Sequence, residues 1–380
     1  MYAQRMSGFP NYVNNSDGLP PPYTKSREPR SRSRWSPKAW TRKVTIGVVA
    51  IAAVLLAVII IAAVLGSRAN AYPDYSPLHY TLVDTYSGRT FFDNFNYFTG
   101  YDPTAGFVHY VPRETAMSEQ YNLTYAGSDS AILRVDTSET AASTGRFSVR
   151  IESKKQYNSG LFVFDILNTP YGCSTWPALW LTDQSNWPER GEIDVVEAVN
   201  QASNGNQMTL HTSKGCKMDV KRKETGSSLT KNCWNETEGN AGCGVQGEQD
   251  TYGQGFNANG GGIYAMEWRT AGIRIWFFDR SNIPTDIPAN LTNTSAPNPE
   301  GWGKPLADFP NTHCDIHNHF KNQSIIANID LCGTWAGEAS VYSKEDSCPG
   351  QCTDFVSNNA QAFETAYWEW KSFRVYTASD

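Results

Sequence analysis

Three carboxylates fall within six residues, Glu192-Ile193-Asp194-Val195-Val196-Glu197. They are interleaved with β-branched apolar residues, the pattern of a half-buried strand. Side chains at i and i+2 share a strand face, so Glu192 and Asp194 point the same way. Glu197 lies five positions after Glu192, and a regular pleat would turn it to the opposite face. One extra residue, a β-bulge near Val195-Val196, would bring it back. Acids gathered on one face push one pKa up while another stays ionised. That is the condition for glycoside hydrolysis: one ionised carboxylate and one protonated carboxyl, about 5–5.5 Å apart where configuration is retained. An isolated E-x-D-x-x-E is more often a solvated acidic strand face, so the surroundings must decide.

The run Cys173-Ser-Thr-Trp176-Pro-Ala-Leu-Trp180-Leu-Thr-Asp-Gln-Ser-Asn-Trp187-Pro-Glu-Arg-Gly191 sets three Trp just ahead of the acids. Indole faces stack on sugars and the ring N–H donates hydrogen bonds. Trp176 reads as the core member of this group. Downstream, Met208-Thr-Leu-His211 reads as the next strand, from which His211 can reach a carboxylate or a sugar hydroxyl. Short β-rich runs recur from residue 91 onward, at 131–135, 146–151, 161–166, 191–198, 207–211, 263–268, 273–278, 325–330 and 372–376. Clusters of Gly, Asn, Pro and Ser separate them, and no long helical period intervenes. The pattern predicts one large all-β sandwich or barrel.

The rest of the chain fixes the setting. Residues 44–66 are uncharged and almost wholly Val, Ile, Ala and Leu, long enough to cross a bilayer. Residues 1–43 carry a net charge of +7 and read as a disordered basic cytosolic tail. The positive-inside rule puts the N-terminus in the cytosol. Ala69-Asn70-Ala71 resembles a signal-peptide cleavage site, but the long apolar run and long tail favour an uncleaved signal anchor of a single-pass type II membrane protein. Residues 67–87 read as a stem, and 88–380 as the catalytic domain, lumenal or extracellular. All eight Cys and the sequons at Asn122, Asn235, Asn290, Asn293 and Asn322 lie beyond the anchor, consistent with disulfides and glycans in an oxidising compartment. Eight Cys allow 105 pairings, and spacing selects none. Beyond the anchor the net charge is −13, which makes a poor nucleic-acid binder, so no nucleic-acid partner is expected.

Trp-Pro-Ala-x-Trp followed by Trp-Pro-x-x-Gly-Glu-Ile-Asp-Val-Val-Glu resembles glycoside hydrolase family 16, and within it the fungal endo-1,3(4)-β-glucanases, or laminarinases. The likeness extends through Asp102-Pro-Thr-Ala-Gly106, Asn122-Leu-Thr-Tyr-Ala126, Ser148-Val-Arg150-Ile151, Phe256-Asn-Ala-Asn-Gly-Gly-Gly262, Tyr264-Ala-Met-Glu267, Phe309-Pro-Asn, Cys332-Gly-Thr-Trp335-Ala-Gly337 and Cys348-Pro-Gly-Gln-Cys352. The resemblance implies a β-jelly-roll sandwich with a substrate cleft on its concave face. It implies Glu192 as nucleophile, Glu197 as acid/base and Asp194 as the helper between them. It also implies a groove lined by Trp180, Trp187 and Trp335, with Arg150 and His211 reaching hydroxyls or the acids. The expected activity is retaining endo-hydrolysis of β-1,3 or mixed β-1,3/1,4 glucan in fungal wall turnover, by a monomer without metal or cofactor. The alternatives are a glucan transglycosylase on the same site and a non-catalytic glucan-binding protein of wall assembly.

Overall fold

The computed structural model describes residues 40–69 and 71–378 and divides the chain near Leu65. The first unit contributes one helix, Arg42–Ala69, which contains the whole apolar run. It is long and apolar enough to cross a membrane, and Val49, Ile51 and Leu65 on it are all more than half exposed. The tail up to residue 39 lies outside the described residues.

The second unit is a sandwich of two eight-stranded sheets, and every strand pairing in them is antiparallel. One sheet runs, edge to edge, Ser227–Ser228, Cys243–Gln246, Gln207–His211, Glu192–Glu197, Thr175–Thr182, Gln323–Leu331, Arg150–Tyr157 and Phe95–Tyr97. The acidic strand is therefore interior, flanked by the His211 strand and the Trp-bearing strand. The second sheet is built on the long last strand, Tyr367–Ala378, and on Gly160–Asn168 and Gly262–Arg269. Between the sheets lies an aromatic core. Phe91 stacks on Trp370, Trp370 on Trp368, and Phe373 meets Phe91, Phe95 and Phe164 edge-on. Much of the aromatic surplus in the composition is thus spent on packing, and less on sugar.

Eight of the nine runs expected as strands each hold one, and the ninth, 146–151, is split into Arg146–Ser148 and Arg150–Tyr157, which lie in different sheets. Thr175–Thr182 is an additional one, continuous through Pro177. The segment read as a stem also differs. From Tyr72 onward it is packed on the second sheet, because its tyrosines find polar and cationic partners there. Tyr72 Oη donates to Asp308 at 3.0 Å, Arg274 lies 4.1 Å from the Tyr75 ring centroid, and Tyr80 Oη donates to Glu267 at 2.8 Å. Tyr80–Ser87 is itself a strand paired with Tyr367–Ala378.

Four disulfides close the loops: Cys173–Cys348, Cys216–Cys314, Cys233–Cys243 and Cys332–Cys352. No cysteine among the described residues is free. The five sequon asparagines are exposed or half-exposed.

Candidate active site

The bulge is where the spacing of the acids requires it. Against Gln207–His211, Asp194 faces Thr209 and Glu197 faces Gln207, so three steps on one strand match two on the other. Against Thr175–Thr182 the shift lies between Asp194 and Val196. A bulge leaves ladder groups unpaired, and here the buried Asn206 amide satisfies them. Its Nδ2 donates to the Val195 carbonyl at 2.9 Å, and its Oδ1 accepts from the Glu197 N–H at 2.8 Å. Ile193, Val195 and Val196 are sealed in the core, while Glu192, Asp194 and Glu197 all line one cavity of about 420 Å³.

Gly191 makes the turn into this strand. Its φ of 70° and a virtual Cβ only 2.5 Å from the His319 carbonyl leave room for glycine alone. Before it, the Asp183 carboxylate accepts from Asn186 Nδ2 at 3.0 Å and Arg190 Nη1 at 2.8 Å, tying down the turn that carries Trp187.

Trp176 Nε1 donates to Glu197 Oε1 at 2.8 Å, and the Trp187 indole at the other end acts to lower the Glu192 pKa. Burial pushes both glutamates up to about 7, and the indole contacts oppose that rise. The Arg150 charge also draws Glu192 down, as a protonated His211 would draw down Glu197. Asp194 is raised well above the ordinary carboxyl range, by burial and by the charges of Glu192 and Glu197 on either side. His211 Nε2 lies 3.4 Å from Asp194 Oδ2, and its Nδ1 is 3.1 Å from Asn240 Oδ1. Burial lowers the imidazole pKa, so a neutral His211 faces a neutral Asp194. Glu192, Asp194 and His211 are the one grouping among the described residues close enough to share a cation, with ligand atoms within 4.8 Å. A protonated Asp194 is a poor ligand, and the cluster is better suited to sharing protons.

The structure brings Arg150, Trp180 and Trp187 into the cavity with the acids, and leaves two expected contacts out of it. His211 sits behind Asp194, only 8% exposed. Trp335 lines an adjoining cavity of about 230 Å³ that shares Glu197. Arg150 is held between the Phe98 and Trp180 rings, at 4.7 and 4.8 Å, and its Nε donates to Glu152 at 3.1 Å. Trp180 Nε1 donates to Asn328 Oδ1 at 2.8 Å, which fixes the ring plane. Trp176, expected in the core, instead stands in the cavity. Trp176, Ala178, Trp180 and Thr182 all line it, the period of a strand face. Asp102, Thr104, Asn240, Asn328 and Asp330 also line it; Asp102 and Thr104 belong to a motif of the family likeness that was given no role, and the other three did not stand out in the sequence.

Residues 95–376 match the family profile described as the XgeA-like catalytic GH16 domain. The chain belongs to glycoside hydrolase family 16. Its jelly-roll of two antiparallel sheets is shared with solved members of the family. It is 46% identical to a probable glycosidase of Schizosaccharomyces pombe over 80% of this chain and 71% of that protein. It is 40% identical to an endo-1,3(4)-β-glucanase of Arthroderma benhamiae over 78% of this chain and 65% of that protein. The GH16 laminarinase 16A of Phanerochaete chrysosporium, solved with β-glucans in donor and acceptor sites, is 45% identical, with a TM-score of 0.74 over 78% of this chain and 99% of that one. An elongating family 16 β-1,3-glucosyltransferase is 40% identical, with a TM-score of 0.72 over 78% of this chain and all of that one. The family 16 domain of this chain thus carries the acids, the bulge and the indole donors in a fold shared with proteins that act on β-1,3-glucan.

Proposed function

We propose that this chain is a retaining endo-β-glucanase acting on β-1,3 or mixed β-1,3/1,4 glucan. The observation that carries the reading is the pairing of Glu192 and Glu197 on one strand face, Glu197 held by the Trp176 N–H and both raised by burial to near neutrality. Two carboxyls that share about one proton at working pH supply a nucleophile and an acid together. Glu192 beside Arg150 is the better anion and attacks the anomeric carbon. Glu197 protonates the departing oxygen, then takes a proton from the incoming water. A neutral Asp194 donates toward Glu192 and limits repulsion along the strand. The raised Trp rings of the cavity form a platform for pyranose faces.

The apolar helix supports a membrane anchor, and the disulfides support a lumenal or extracellular catalytic domain in type II orientation. Glycan addition at Asn122, Asn235, Asn290, Asn293 and Asn322 fits their exposure. Mass shift on deglycosylation of the full chain, with protease protection of the domain in sealed microsomes, tests that topology.

A second reading rests on the likeness to the elongating glucosyltransferase: the same glycosyl intermediate is handed to a sugar hydroxyl instead of water. Incubating the full chain with laminarin and following reducing ends and chain length separates the two. Hydrolysis gives new ends and shorter chains, transfer gives longer chains without new ends, and neither change rules out an enzyme.

A further inference from the structure

The cavity holds a second pair of carboxyls, Asp102 and Asp330, which the proposed reaction does not use. Asp330 is 2% exposed and lies opposite Trp176 in the sheet register. Asp102 begins the loop Asp102–Gly106. Thr104 Oγ1 lies between them, in hydrogen-bond contact with Asp102 Oδ2 and 2.9 Å from Asp330 Oδ2. A hydroxyl has one proton to give. It donates to one carboxylate, so the other contact is made by a proton on a carboxyl. Asp102 Oδ2 already accepts the N–H groups of Thr104 and Gly106, each at 2.9 Å, which marks it as the anion. Asp330 receives one N–H, from Leu331 onto Oδ1 at 2.6 Å. Its Oδ2 is left to carry the proton.

Burial, and then the nearby Asp102 charge, push the Asp330 pKa well above the ordinary carboxyl range, while the Leu331 N–H and Thr104 oppose the rise. The titratable groups facing Asp330 are Asp102 on the loop and Tyr110 on the strand Val108–Tyr110, the latter itself raised by burial. The walls around the pair have no slack. A Cβ on Gly106 would fall 1.8 Å from Asp330 Oδ1, and one on Gly333 would fall 2.9 Å from Oδ2. Thr334 N–H donates to the Thr104 carbonyl at 2.9 Å, joining the loop to the short helix Gly333–Ala336 that carries Trp335.

We propose that Asp330, Thr104 and Asp102 form a proton-sharing clasp that holds the Asp102–Gly106 loop as a wall of the glucan cleft, with Asp330 a positioning residue that acts only while neutral. When Asp330 ionises, one hydroxyl proton faces two carboxylates, the loop parts from the strand, and the wall loses its place. Chemistry at Glu192 and Glu197 is untouched, so the loss is in binding. For its substrate the clasp rests on the glucanase reading; for its proton count it does not.

The test is Asp330→Asn in the full chain in detergent. The amide keeps the shape and an N–H toward Thr104 but cannot ionise. For a short β-1,3-glucan the wild-type KM rises about tenfold from acid to alkaline pH, the worth of one hydrogen bond to a charged group, while the KM of Asp330→Asn stays flat and both lose kcat along the same alkaline limb. Thr104→Val carries the raised KM at every pH. A KM in Asp330→Asn that follows the wild-type course, or an unchanged KM in Thr104→Val, overturns the clasp. Thermal unfolding gives a readout free of activity. A carboxyl whose folded pKa exceeds its unfolded one binds more protons when folded, so its contribution to stability falls as pH rises from the unfolded to the folded pKa. The Tm of Asp330→Asn minus that of wild type therefore grows with pH and then levels. A difference constant with pH overturns the proton assignment. A growing difference in a protein that cleaves no glucan leaves the proton assignment standing and removes the glucanase reading.

Discussion

The two ends of the acidic strand reach the same protonation range by different means. Glu192 lies in regular register, opposite Thr182 and His211, next to the buried guanidinium of Arg150. Glu197 lies past the bulge, and its backbone N–H is held by the Asn206 side chain. One end has a cation and a half-exposed indole, Trp187, while the other has an amide staple and the cavity-lining indole of Trp176. The free pair is therefore nearly symmetric in proton affinity, and the asymmetry of role lies in the neighbours. A cation favours the anion at Glu192, and nothing of that sign touches Glu197 as closely as a neutral indole does.

Removing either end should break this comparison outright. Glu192→Gln removes the attacking oxygen and should lower kcat on laminarin by about 10⁴-fold or more; unchanged turnover would remove Glu192 from the catalytic pair. Glu197→Gln removes the acid, for a loss of about 10²–10⁴-fold on glucan. On an aryl β-glucoside oligomer, whose leaving group departs without a proton, the first step should be nearly normal, and burst kinetics reads that difference. Asn206→Ala leaves the Val195 carbonyl and the Glu197 N–H unpaired in the core. We expect about 1–3 kcal/mol of lost stability per orphaned group by chemical denaturation, with kcat falling more than KM rises because only the Glu197 end is misaimed.

The finest test exchanges the two indole donors. A hydrogen bond to the ionised form lowers a carboxyl pKa, so its loss raises it. Trp187→Phe raises Glu192, which then loses its charge at a higher pH, and the acid limb of kcat/KM moves up. Trp176→Phe raises Glu197, which then keeps its proton to a higher pH, and the alkaline limb moves up. One variant narrows the bell and the other widens it. Shifts of the same limb in both would show that the pair titrates as one unit without an assigned anion.

The chemistry was legible because it is written in spacing. Three acids at an odd step among buried β-branched residues require one bulge, and the register supplies it. Even Cys confined to one side of an apolar run foretold disulfides but not partners, since Cys173 and Cys348 meet across 175 residues. Trp176 was open to a better reading: it stands four residues from Trp180, and two residues four apart on a strand share a face. Pro177 argued against a strand there, although its neighbours keep the ladder on both sides. Asn206 and Asp330 carried no signal of their own, and Asp102 only its place in a motif of the family likeness. Their roles depend on loops and strands far apart in sequence, Asp330 meeting Thr104 over 226 positions. The tyrosines at 72, 75 and 80 were equally silent, because docking depends on the charged groups of a sheet surface that no local pattern reveals.

A uniform ladder can slide by two residues and keep every side chain on its proper side. The acidic strand cannot, because its one irregular step must meet the single amide that fits it, Asn206. That notch indexes the sheet as a keyway indexes a shaft. The alignment of sugar, acid and nucleophile is thereby inherited from a main-chain fitting and does not have to be found again by each side chain on its own.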